Sequence, residues 1–238
     1  MPVDPLSDRA MVYLHGGGWV AGSLYNHRPM AAAIAKAARI PLLLVDYRLA
    51  PENAYPAGLE DCITAFLWAT DQSPTGQKLS QIFLGGDSCG GNLAAATCLS
   101  LIERGERLPD KLVLLSPVLE AACNPDRQDR DTDPVGGNAG MAGVPGLYGI
   151  DPELLGDPHI SLVNASAEDV ACFPPSLIQA SGAEFLHWDA RTFAALLATS
   201  GVRVTLSSWP GLPHVWHLFT DLLPEAREAT DEIAAFLC

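Results

Sequence analysis

The sequence predicts an α/β protein, with a mostly parallel sheet and helices on both of its faces. Three observations carry that expectation. Short apolar runs alternate with helix-patterned segments along the chain, the order that builds strand–helix–strand units. The run Leu42-Leu43-Leu44-Val45 is unbroken rather than alternating, which suits a parallel strand covered on both sides. Finally, Gly86-Asp87-Ser88-Cys89-Gly90 sits between apolar Ile82-Phe83-Leu84 and an Ala- and Leu-rich stretch from Leu93 to Leu101. A strand passing at once into a helix needs a tight bend, and glycine on either side removes the Cβ atoms that would collide there.

Taken in order, Met11 to Leu14 is the first strand candidate, and it leads directly into His15-Gly16-Gly17-Gly18-Trp19. Consecutive glycines are costly to order. They make sense where backbone N–H groups must approach an oxygen that gains negative charge, with Trp19 as the bulky anchor. Arg28 to Arg39 reads as a helix with Pro29 in its first turn, followed by strand 42–45. Asp46, Arg48 and Glu52 are expected to form an ion-pair network bracing the neighbouring loops. Leu59, Cys62, Ile63, Phe66 and Leu67 give Gly58 to Thr70 a helical period, and Asp71 to Ser80 is a polar loop. Strand 82–85, the serine turn and a helix to about Glu103 follow, then a strand over Lys111 to Ser116.

Pro117 to Ile150 is rich in Gly, Pro and Asp, and a loop of that length is usually functional or mobile. Asp151 to Leu155 suggests a short helix. Ser176 to Ala180 is a strand, Asp189 to Ser200 a helix stopped by Gly201, Val202 to Leu206 a strand, Pro213 to His217 a loop and Pro224 to Leu237 the last helix. No linker divides the chain. One domain over 1–238 is expected, with 117–175 a loop-rich insertion or residual cap.

Ligands of parallel sheets bind at the carboxyl ends of the strands. The glycine run, Ser88, Glu184 and His214 all lie just past predicted strand ends. Ser88 is thereby a candidate nucleophile at a helix N-terminus. The formal net charge of −14 argues against nucleic acid and anionic membrane surfaces as partners. Six cysteines are scattered without paired spacing, which fits reduced thiols in a cytoplasmic protein. No apolar run approaches the roughly 20 residues of a membrane span, and Met1 to Pro5 lacks signal-peptide character. His217 follows His214 by three residues, but no H-E-x-x-H pattern accompanies it. Packing or a polar contact is expected there, and no metal or cofactor anywhere.

The motifs His15-Gly16-Gly17-Gly18-Trp19, Tyr47-Arg48-Leu49-Ala50-Pro51-Glu52, Gly86-Asp87-Ser88-Cys89-Gly90-Gly91-Asn92 and Trp209-Pro210-Gly211-Leu212-Pro213-His214-Val215-Trp216-His217 together resemble the hormone-sensitive-lipase-like carboxylesterases of the α/β-hydrolase fold. The resemblance runs from about Met11 to the end of the chain. It implies a serine hydrolase with Ser88 as nucleophile, His214 as general base and then acid, and a carboxylate after strand 176–180 as the third member. Glu184 occupies that place. Asp189 is the rival acid, read here as a helix N-terminal residue. The N–H groups of Gly16, Gly17 and Cys89 would form the oxyanion hole, Trp19 would contact substrate, and His15 would fix the glycine loop. The implied substrate is a small or short-chain acyl ester. An amide or formamide substrate and a catalytically inactive ligand-binding relative are the alternatives.

Three departures stand out against that family. Cys89 replaces the usual alanine after the nucleophile, and Trp188 stands where another acid is common. Only about ten residues precede Met11, so the family's first two strands and N-terminal cap are expected to be missing. Strand 42–45 would then be an apolar sheet edge, open to pairing as a homodimer, above an open active site.

Overall fold

In the computed structural model, which describes residues 8–72, 76, 78–127 and 143–238, the strands are β1 (Arg9–Leu14), β2 (Leu42–Val45), β3 (Gln81–Asp87), β4 (Lys111–Leu115), β5 (Ser176–Ser181) and β6 (Val204–Trp209). They pair in parallel in the order β2-β1-β3-β4-β5-β6. The helices are α1 (Leu24–Ala38), α2 (Ala57–Gln72), α3 (Cys89–Arg104), the single turns α4 (Val144–Leu147) and α5 (Ala167–Val170), α6 (His187–Thr199) and α7 (Pro224–Leu237). The expected α/β-hydrolase architecture is present, with β2 at the edge of the sheet.

The two-residue period of the strands sorts the core into layers. Met11, Tyr13, Phe83, Val113 and Leu177 face α1 and α7, where Met30, Ile34, Ile233 and Leu237 cover them. Val12, Leu14, Leu84, Leu112 and Ile178 face α2, α3 and α6. The central helix α3 is buried from Cys89 through Leu101. It is apolar all round, as a helix enclosed on every side must be. Each large aliphatic side chain it buries contributes roughly 1.5–3 kcal/mol, so the serine turn rests on one of the least deformable parts of the molecule.

Several boundaries differ from expectation. α1 begins four residues early, at Leu24, capped by the Ser23 hydroxyl, which accepts the Asn26 N–H at 3.3 Å. Pro29 therefore lies inside the helix rather than in its first turn. β6 runs two residues later at its start and ends at Trp209, and the turn expected at 151–155 is a 3₁₀ turn, Pro152–Leu154. Residues 73–75 and 77 of the polar loop, residues 128–142 of the insertion and residues 1–7 lie outside the described residues.

The expected Asp46–Arg48–Glu52 network is replaced by another pairing. Arg48 turns to α2 and holds both oxygens of Asp61 at 2.8 Å. That two-pronged geometry suits a guanidinium better than its neighbours along the chain would.

Asp189 sits in the first turn of α6 but does not cap it. Its buried carboxylate accepts Arg127 Nη2 and Nε at 2.6 and 2.7 Å, and the N–H groups of Leu119 and Glu120 at 2.7 and 3.0 Å. Arg127 also donates to the Glu120 and Ala122 carbonyls. Burial pushes the Asp189 carboxyl up to about 6, against the pull of Arg127, and it remains ionised at neutral pH. Asp189→Ala removes the counter-charge of a buried guanidinium. It should lower stability by about 3–5 kcal/mol, measured as a shift of the urea unfolding midpoint at unchanged slope.

Candidate active site

β3 delivers Ser88 at its carboxyl end, and α3 starts on the next residue. Ser88 has φ 54° and ψ −123°, a region that side chains rarely occupy. The neighbours enforce it. A Cβ on Gly86 would lie 2.3 Å from the Gly90 carbonyl oxygen, and one on Gly90 would lie 2.2 Å from the Leu14 carbonyl oxygen. The Ser88 N–H donates to Leu115 O at 2.9 Å, which fixes the turn against β4. Its hydroxyl is thereby held above the sheet.

The loop after β6 brings His214 to it. His214 Nε2 lies 2.9 Å from Ser88 Oγ, and His214 Nδ1 lies 2.6 Å from Glu184 Oε2. Of the two candidate acids, Glu184 therefore contacts the imidazole, while Asp189 is occupied by Arg127. The Glu184 carboxylate is buried, and its other oxygen accepts the Ser181 N–H at 2.7 Å and the Ser116 hydroxyl at 2.8 Å. With Nδ1 donating to this carboxylate, the lone pair of Nε2 faces the serine.

Ser116 was not singled out from the sequence. It follows β4 directly, with φ 43°, and its hydroxyl also accepts the Val215 N–H at 3.3 Å. It joins the acid loop to the histidine loop. Its position as the last residue of a predicted strand was the available signal.

The glycine run borders the same cleft, which encloses about 480 Å³ and is walled by Gly17, Gly18, Trp19, Val118, Val144 and Leu218. The Gly16 N–H lies 3.1 Å from Asp87 Oδ2 and 3.3 Å from His27 Nε2, so two buried acceptors share it. Trp19 is buried and stacks on Tyr148 with ring centroids 4.9 Å apart, so only part of it lines the cleft. Its N–H donates to Cys89 Sγ at 3.1 Å. Burial pushes that thiol up to about 12. Cys89 is a neutral packing group that ties the glycine loop to the serine turn. Tyr47 contributes a second tie, through its hydroxyl to the His15 carbonyl, and the His15 ring accompanies it, its Nδ1 2.9 Å from Gly16 O.

His217 makes the polar contact expected of it. It is buried, pushed down to about 3 by desolvation, and its Nε2 donates to Gln179 Oε1 at 2.9 Å. Among the described residues no group of acidic, histidine and cysteine side chains could hold a metal ion, and no helix is long and apolar enough to cross a membrane.

A parallel sheet with a strained serine after its third strand, and a carboxylate and imidazole from later loops, defines an α/β hydrolase. Residues 11–218 match the α/β-hydrolase-fold family. The chain is 34% identical to an acetyl-hydrolase of Streptomyces hygroscopicus, with 96% of this chain and 75% of that protein covered. It is 33% identical to the carboxylesterase/phospholipase LipF of Mycobacterium tuberculosis, with 96% of this chain and 61% of that one covered. Among solved structures it matches an esterase of the bacterial hormone-sensitive lipase family, with a TM-score of 0.87 and 35% identity over 99% of this chain and 77% of that one. The chain belongs to the hormone-sensitive-lipase-like carboxylesterase family of α/β hydrolases.

The serine turn yields a prediction independent of chemistry. Gly90→Ala forces a methyl group into the Leu14 carbonyl, and it should cost about 3 kcal/mol or more, read as a lowered urea midpoint.

Proposed function

We propose that this carboxylic ester hydrolase is a serine esterase that cleaves small or short-chain acyl esters through an acyl-enzyme. The observation that carries the reading is the unbroken line from Ser88 Oγ through His214 to Glu184, at 2.9 and 2.6 Å. Ser88 Oγ attacks the ester carbonyl while His214 Nε2 takes its proton, and Glu184 stabilises the imidazolium. The tetrahedral oxyanion is met by the N–H groups of Cys89, the first residue of α3, and Gly17. Gly16, shared between Asp87 and His27, orients that loop. His214 then returns the proton to the departing alcohol. In the second half-reaction water gives a proton to His214 and attacks the acyl carbon, and the proton passes back to Ser88 as the acid leaves.

The residual-cap segment 117–175 serves as a cleft wall through Val118 and Val144, and Trp19 contributes the aromatic part of the opposite wall. A cleft of about 480 Å³ has room for a small acyl group. The acetyl-hydrolase among the relatives supports the same choice.

A fluorophosphonate probe should label the protein at Ser88, and Ser88→Ala should abolish labelling. A folded protein that resists the probe is an inactive binder instead. Glu184→Gln removes the charge that supports the imidazolium and should lower kcat roughly 10³-fold or more, at little change in KM. Across p-nitrophenyl esters of rising acyl length, kcat/KM should peak at short chains. A peak at long chains overturns the substrate assignment.

A further inference from the structure

Ser116 takes no proton in the proposed reaction, yet its backbone sits where a side chain is costly. Its φ is 43°, a region that glycine enters freely and other residues rarely do. Its N–H donates to the Gln179 carbonyl at 2.7 Å, one more rung between neighbouring strands just past the end of β4. Glycine would meet that geometry without strain, but it would bring no hydroxyl. A non-glycine residue held in such a conformation points to a use for its side chain.

The Ser116 side chain is buried and its oxygen has two partners. Oγ lies 2.8 Å from Glu184 Oε1 and 3.3 Å from the Val215 nitrogen. A carboxylate oxygen accepts and a backbone N–H donates. The one hydroxyl proton therefore points to Glu184, and an oxygen lone pair faces Val215. Both partners adjoin the imidazole. The other oxygen of Glu184 lies 2.6 Å from His214 Nδ1. Val215 follows His214 in the chain and, with φ 49°, leads into the turn Trp216–Phe219. One oxygen atom thus touches the acid and the backbone next to the base. A second hydroxyl ties the same two loops, from Ser181 to the Leu212 carbonyl at 2.6 Å. That tie lies two residues before His214, and the Ser181 hydroxyl does not bond the carboxylate.

We infer that Ser116 is a positioning residue for the triad: its hydroxyl couples the orientation of Glu184 to that of His214, so that the imidazole presents Nε2 to Ser88. This rests on the esterase reading. Without the hydroxyl, Glu184 Oε1 is left with the Ser181 N–H, and the carboxylate can pivot about that bond. The Val215 N–H loses a buried acceptor, which is unfavourable. The imidazole then spends part of its time in the wrong tautomer or turned from Ser88, and the chemical step slows. Substrate binding is spared, because neither Ser116 nor Glu184 lines the cleft.

The test compares hydrolysis of p-nitrophenyl acetate by the wild type, Ser116→Ala and Ser116→Gly. Glycine adopts the positive φ without strain, so the second variant removes the hydroxyl while easing the backbone. Both variants should lose about tenfold or more in kcat at nearly constant KM. Wild-type kcat in Ser116→Gly, or a loss that falls on KM, overturns the inference. Added to His214→Ala, Ser116→Gly should leave the residual rate unchanged, because a group that acts through the imidazole has nothing left to position. A further loss in that background overturns the inference. Nitrogen-15 NMR of the Ser88→Ala protein reads the coupling without turnover. The neutral His214 ring should carry its proton on Nδ1, and adding Ser116→Gly should convert it to a mixture of tautomers. A tautomer indifferent to Ser116 overturns the inference. Absence of Ser88-dependent hydrolysis in the wild type, with the tautomer still answering to Ser116, overturns only the esterase reading.

Discussion

The close approach of the serine turn to the end of β1 is the constraint on which the rest depends. No side chain fits at Gly90, because the Leu14 carbonyl occupies the place of its Cβ. That contact presses the nucleophile turn and the glycine loop together, since β1 runs straight from Leu14 into His15 and Gly16. The same closeness lets Asp87 and Cys89 reach across and fasten one loop to the other, while Tyr47 braces the glycine loop from the segment after β2. Donors and nucleophile are thus set relative to each other by the backbone of two adjacent parallel strands, with side chains trimming the geometry.

Burial makes these fastenings stiff. The Glu184 carboxylate, the Asp87 carboxylate and the Asp189 carboxylate are all nearly inaccessible, and each is matched by several donors. A buried charge left short of partners is expensive, so each group permits few arrangements of the loops around it. Three anions on one rim play three separate parts. One orients an imidazole, one holds a glycine, and one latches α6 to the segment after β4.

The sheet was legible in the sequence because parallel strands buried on both sides leave unbroken apolar runs. Ser88, Glu184 and His214 were legible because each follows such a run and because their order along the chain matches the fold's. What escaped notice has no local mark. His27 lies 60 residues from Asp87, inside a segment whose Tyr25-Asn26-His27 start has weak helix preference. The Ser23 cap and the bond to Asp87 hold that start of α1 in helical form, overriding propensity. Ser116 depends on a positive φ at a strand end, which no residue type announces. Asp46, Arg48 and Glu52 looked like a network because they are neighbours in the chain, but Arg48 found a better-shaped partner on α2. The sharing of the Gly16 N–H by Asp87 and His27 follows from side-chain positions that spacing alone does not supply.

The Arg127–Asp189 latch carries a consequence for the ancestry and engineering of this scaffold. One half belongs to the segment after β4 and the other to the helix just beyond the acid loop. Recombining homologous sequences between those two points would separate a guanidinium from its anion. Such hybrids would inherit a buried charge without its counter-charge, so crossovers in this stretch should survive mainly when both partners travel together.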